Sequence, residues 1–227
     1  MFPSYVASAS NGSTSSPTSF SVGLGDIGTN RLLIIGVTGI YSSSGTVTSV
    51  TVGGISASFE NLDTANYGGA YSRGHLYYLK EASFPAGSSA TVSINWTGFD
   101  AVIGGAILFQ SVDQSADLNS DTFTQNSNAV DISNSHSFTP DKMLVDVLSM
   151  YENASGNTAD GGQTERVDYD QSSNQGNLSM SHKEGSSSPD TMGWSWNNRH
   201  RCQVQIIAEL NFEAPATGNA IFFGANT

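Results

Sequence analysis

Three stretches of the chain are apolar at nearly every position: Arg31–Ile40 (RLLIIGVTGI), Ala101–Asp113 (AVIGGAILFQSVD) and Met143–Met150 (MLVDVLSM). Their length and β-branched content favour strands over helices. A strand apolar on both faces belongs inside a layered β structure, covered by a second sheet or a neighbouring subunit. Ala101–Asp113 is the longest of these runs and is read as the central strand. Gly104 and Gly105 in its middle predict a bulge or a close approach of the backbone. Elsewhere the pattern alternates. Phe20 and Val22 share one face, as do Ala90, Val92, Ile94 and Trp96, and as do Met192, Trp194 and Trp196. Such period-2 segments read as half-buried strands.

Tyr5–Ala9, Val47–Val52, Ile55–Phe59, His75–Lys80, Ala129–Phe138, Thr164–Asp170, Leu178–His182 and Gln203–Phe212 complete the set of predicted strands, with Thr164–Asp170 at an edge. Gly53-Gly54 marks a hairpin, and Pro85 with Gly87 marks a turn. Asn61–Gly74 and Gln114–Asn128 are polar enough to read as connections. No segment shows a helical apolar period over ten or more residues. The expectation is an all-β fold, an antiparallel β-sandwich (jelly-roll-like) over residues 1–213 followed by an extended C-terminal arm, 214–227. Within the arm, Ile221, Phe222 and Phe223 are apolar and lie beyond Pro215 and Gly218. They are the expected assembly contacts, docking as an added strand on a neighbour's sheet. The alternative is that they pair with the edge of their own sheet.

Composition adjusts this picture in two ways. Of 227 residues, 37% are hydrophobic and only 12% charged, with Ser, Thr, Asn and Gly making up the difference. That mixture suits many short strands joined by polar turns. The net charge of −12 excludes binding of nucleic acid through its phosphates, which needs clustered Lys and Arg. No run is long enough to span a membrane, and MFPSYVASAS lacks the features of a secretory signal, so synthesis in the host cytoplasm without a signal peptide is expected. Cys202, the one cysteine, excludes an intramolecular disulfide and reads as a buried, inert thiol.

The search for chemistry is mostly negative. Nucleophile-elbow, zincin, phosphate-loop and dinucleotide-binding patterns are all missing, so neither an enzyme nor a cofactor is expected. His75, His136, His182 and His200 lack ligand spacing and read as surface or hydrogen-bonded structural residues. Asp113, Asp117 and Asp121 recur every fourth residue without the order of a calcium loop, and read as a solvated turn; no metal is expected. Tyr77 with Tyr78, and Trp194 with Trp196, can serve as stacking platforms for a glycan. Core packing is the first reading of the tryptophans, because they share a strand face with Met192.

A series of strand and turn segments carries a resemblance. In order these are NRLLIIGVTG, VTSVTVGGISA, LYYL, FPAGSSATVSINW, GGAILFQSVDQSADLNSD, MLVDVLSM, GGQTER and TMGWSW. Together, over about Asn30–Phe212, they are similar to a jelly-roll or lectin-like β-sandwich module of phage virion proteins and bacterial surface proteins. The resemblance implies a non-enzymatic virion structural protein, a capsid decoration (cement) protein on the particle's outer surface. The implied partners are the major capsid protein and copies of itself. The alternative is a carbohydrate-binding module that attaches to host or environmental glycans. No catalytic residues are implied.

Overall fold

The three apolar runs lie inside a stack of antiparallel sheets. The computed structural model describes residues 3–25, 30–40, 44–137, 142–151, 157–171, 176–185 and 189–212. The proposed arm, with Ile221, Phe222 and Phe223, lies outside these residues. In chain order the strands are β1 (Ser4–Ser13), β2 (Thr18–Gly23), β3 (Leu32–Ile40), β4 (Thr46–Val52), β5 (Ile55–Ser56), β6 (Ser58–Tyr67), β7 (Ala70–Lys80), β8 (Ser89–Thr97) and β9 (Ala101–Gln110). The second half supplies β10 (Asn119–Gln125), β11 (Ala129–His136), β12 (Met143–Tyr151), β13 (Thr158–Ala159), β14 (Thr164–Gln171), β15 (Gly176–Glu184) and β16 (Asp190–Leu210).

Layer 1 has the strand order β2-β8-β4-β5 and layer 2 the order β1-β9-β3-β7-β6. Both come from the first half of the chain. Layer 3, β10-β16-β12-β15-β14, comes from the second half, and so does layer 4, in which β11 and β13 flank the N-terminal part of β16. Each interface has its own core. Leu33, Ile35, Val37 and Leu108 meet Val22, Val50, Val92 and Ile94 between layers 1 and 2. Ile34, Ile103, Ile107 and Phe109 meet Val145, Val147, Val204 and Ile206 between layers 2 and 3. Layer 2 therefore has apolar side chains on both faces, which is why β3 and β9 carry almost no polar residue.

The all-β antiparallel expectation holds, and the sandwich is stacked deeper than two sheets. β9 is the second strand of its sheet rather than the middle one, a place taken by β3. The pairing of β9 with β3 runs without a register break past Gly104 and Gly105, so the glycine pair marks close approach, not a bulge. A Cβ at Gly104 would lie 2.8 Å from Phe20 of layer 1, and one at Gly105 3.1 Å from the Met180 sulfur of layer 3. The two glycines thus let both neighbouring layers close on the same strand. Ile107 and Leu108 are fully buried on opposite faces. Leu108→Ala is expected to cost about 2–5 kcal/mol in denaturant unfolding, through lost burial and a residual cavity. A loss under ~1 kcal/mol would mean that layer 1 leaves this face open.

Two polar connections turn out to be strands. Asn61–Gly74 forms most of the β6–β7 hairpin, turned at Gly68-Gly69 with positive φ at both residues, and Asn119–Gln125 forms β10. The segments around Trp194 and Val204 belong to one strand of 21 residues. That strand is folded back on itself. Gln205 Nε2 lies 3.3 Å from the carbonyl oxygen of Met192, thirteen residues earlier, whereas a straight strand would hold them ~43 Å apart. Cys202, with φ of +56°, lies in this region. β10 and β11 run consecutively along one side of β16, and β12 and β13 along the other. Layer 4 is therefore the folded-over continuation of layer 3.

Candidate functional site

The aromatic candidates separate in the fold. Trp194 is fully buried and Trp196 nearly so, packed with Ile132, Leu148 and Met150 between layers 3 and 4. Neither offers a face to a sugar, so their candidacy as stacking platforms is corrected to core packing. Tyr77 and Tyr78 are successive residues of one strand and point to opposite faces. Tyr77 is buried toward layer 1, whereas Tyr78 is half-buried against the core between layers 2 and 3, with Lys80 Nζ 6.0 Å from its ring centroid. They form no joint platform.

Trp194 is held by a residue that breaks the apolar run of β12. Asp146 is wholly buried, and all its bonds are accepted from donors. Its Oδ1 accepts from the backbone N–H (3.1 Å) and hydroxyl (2.7 Å) of Ser181, and its Oδ2 from Trp194 Nε1 and Gln205 Nε2, both at 2.7 Å. Burial pushes its pKa up to about 6, and the bonds from Ser181, Gln205 and Trp194 oppose the rise. An acceptor-only group with four donors suits the ionised form. Three further contacts join the two leaves. Asn134 Nδ2 donates to Gln205 Oε1 at 2.8 Å, His136 Nδ1 lies 2.6 Å from Asp121 Oδ2, and Gln163 Nε2 donates to Ser181 at 2.7 Å. This network is a structural clasp that keeps layer 4 closed on layer 3.

The exposed feature nearest the predicted residues is a ledge on layer 2. Phe59 (52% exposed) and Leu62 (44%) lie on β6, opposite Tyr77 and His75 in register, and Ile55 (37%) lies on β5 at the edge of layer 1. The Phe59 ring meets that of Tyr77 edge-on, with centroids 5.5 Å apart. Among the described residues β6 pairs only with β7, so it is a sheet edge. Beneath the ledge sits His75, buried, with neither ring nitrogen hydrogen-bonded. Burial, and secondarily the charge of Arg73, hold its pKa down to about 4. Sequence reasoning reached Tyr77 but missed Phe59, Leu62 and the burial of His75. The apolar alternation in SFENLDTANY is interrupted at Glu60, where the register with β7 shifts.

The remaining candidates are dispersed. Asp113 accepts from the backbone N–H and hydroxyl of Ser115 in a turn, Asp117 is an exposed partner of Lys80 at 3.7 Å, and Asp121 is bound to His136. All three read as a solvated loop; Asp121 is exposed as expected but lies on β10 rather than in a loop. No group of three or more His, Cys, Asp or Glu among the described residues is placed to hold a metal. His136 and His182 are buried, hydrogen-bonded structural residues, to Asp121 and Arg166 respectively, and the side chain of His200 lies outside the described part. Cys202 is buried, its Sγ 3.1 Å from the carbonyl oxygen of Ala70. Comparison with known protein families, curated proteins and solved structures finds no match to this chain.

Proposed function

We propose that the protein is a non-enzymatic structural component of a phage virion, a decoration protein on the outer surface of the capsid. Its partners in this reading are the major capsid protein and further copies of itself. The observation that carries it is the ledge. Single exposed apolar residues are ordinary on any surface, but Phe59 and Leu62 lie together on one face of an edge strand. An unpaired strand edge is a template for a strand from another chain. The C-terminal segment of a neighbouring copy is the proposed occupant, with Ile221, Phe222 and Phe223 meeting the ledge while backbone groups pair along β6. The resemblance to virion modules supports the setting, and the stacked sheets supply a rigid body for it.

The test compares the full chain, the chain lacking residues 214–227, and the F59S/L62S variant. Light scattering reports oligomer size, and co-sedimentation reports binding to phage heads. The full chain is expected to self-associate and sediment with heads, and both variants to remain folded monomers that do neither. Unchanged assembly by both variants overturns the reading. So does turnover of a polysaccharide by the purified protein.

A further inference from the structure

Asn11 and Gly12 form the one Asn-Gly pair in the sequence. They lie near the end of β1, which among the described residues pairs only with β9 and so edges layer 2. Strand alternation turns the two residues to opposite sides. Asn11 faces layer 1, where its Nδ2 donates to the carbonyl oxygen of Ser19 on β2 at 2.8 Å. Gly12 faces layer 3. A Cβ at that position would lie 2.8 Å from the ring of Tyr169 on β14, so the close approach of β14 demands a glycine. Packing against two layers thus puts the least shielded residue directly after an asparagine.

That sequence order has a chemical consequence. The Gly12 N–H donates to Asn11 Oδ1 at 2.9 Å, which holds the Gly12 nitrogen alongside Asn11 Cγ. Groups held in such proximity escape most of the entropy cost of a free encounter. Once deprotonated, the Gly12 nitrogen attacks Cγ. The new N–Cγ bond forms, the Cγ–Nδ2 bond breaks, and Nδ2 takes up a proton and leaves as ammonia. Solvent water then opens the resulting succinimide. Cleavage at Cγ leaves aspartate, and cleavage at the main-chain carbonyl leaves isoaspartate. Asn61 offers a comparison within the same molecule. The Leu62 N–H donates to Asn61 Oδ1 at the same 2.9 Å, but there the leucine side chain crowds the nitrogen.

We propose that Asn11 is a site of spontaneous deamidation in the folded chain, and that its conversion releases β1 from β2. The new carboxylate only accepts, where the amide donated. It therefore meets the Ser19 carbonyl oxygen with no hydrogen between them. The isoaspartyl form also lengthens the main chain by one carbon, which breaks the register of β1 on β9 at this point. This inference stands independently of the assembly role proposed above.

Incubation of the full-length protein at mildly alkaline pH, followed by digestion and mass spectrometry, tests the first part. The peptide holding Asn11 is expected to gain about 1 Da, the difference between an amide and an acid. Its rate should exceed that at Asn61 at least about tenfold, and should be no less than about a tenth of the rate for the same chain unfolded in urea. Asn11→Gln is expected to keep its mass. Hydrogen exchange tests the second part. In the aged protein, and in fresh Asn11→Asp, the amides of residues 4–13 and 18–23 should exchange about tenfold faster, the effect of one lost hydrogen bond of ordinary net strength. Should Asn11→Asp fail to fold, the aged native chain carries the comparison. Equal rates at Asn11 and Asn61, or a product at Asn11 only in urea, overturn the site. Unchanged exchange after conversion overturns the release of β1.

Discussion

Asp146→Ala is expected to destabilise the fold by about 4 kcal/mol or more at neutral pH, near the upper limit for single substitutions. The substitution removes the acceptor of four buried hydrogen bonds, from the Ser181 N–H and hydroxyl, Trp194 Nε1 and Gln205 Nε2, the last keeping only the Met192 carbonyl at 3.3 Å. Each stranded donor costs about 1–3 kcal/mol, partly relieved where a neighbour can turn. The damage falls on one interface, because Trp194 belongs to the upper leaf and the other donors to the lower. Loss of near-ultraviolet circular dichroism from the packed tryptophans should therefore accompany the loss of stability. Trp194→Phe should also cost less in the Asp146→Ala background than in the native one, since the bond it removes is already gone. A destabilisation below ~1 kcal/mol, or equal costs of Trp194→Phe in both backgrounds, would show that the clasp does not hold the leaves.

His75→Phe is expected to gain roughly 3 kcal/mol of stability relative to the native chain as pH falls from 7 to 4. The folded chain holds His75 neutral, with a pKa near 4 against 6.5 for a free imidazole, chiefly through burial. A base whose pKa is depressed by folding contributes stability that is complete above the unfolded value and is lost as pH falls toward the folded one. A displacement from 6.5 to about 4 corresponds to roughly 3 kcal/mol. Phenylalanine removes the titration together with two nitrogens that have no partners, so the variant should be no less stable at pH 7. Taking the difference from the native chain cancels the other titrations. His182 acts in the same direction, held down to about 4 by burial and by Arg166. Asp146 acts in the opposite direction, since its pKa is raised to about 6 and its contribution is lost as pH rises through that value. A stability gap between variant and native chain that stays constant from pH 7 to 4 would mean that His75 titrates normally in the fold.

The interior was readable from the sequence and the edges were not. β3, β9 and β12 announce themselves because each is covered on both faces, so no position needs to be polar except Asp146. β10 and the part of β6 from Asn61 onward read as connections because much of their contact is polar. Ser120 donates to Glu60 and accepts from Asn61, and Thr122 donates to Asp63. Strands joined side chain to side chain through such pairs carry little apolar period for a pattern to detect. The Asp146 interruption was visible, but its partners lie 35, 48 and 59 residues away. The pairing of β12 with β15 and with the second part of β16 supplies Ser181 and Gln205, and the fold-back of β16 supplies Trp194.

The division of layers between the two halves of the chain bears on synthesis. Once Gln110 has emerged from the ribosome, every strand of layers 1 and 2 is present, and Ser4 can pair with Gln110. The outer face of layer 2, with Ile34, Ile103, Ile107 and Phe109, is still bare, because its cover begins at Met143 and finishes at Leu210. At about 5–20 residues per second, the stretch from Gln110 to Leu210 takes ~5–20 s to translate. For that interval the nascent chain is half a protein with a sticky apolar wall. Elongation rate and chaperone occupancy over the second half of the message then set how much of the first half survives to be covered.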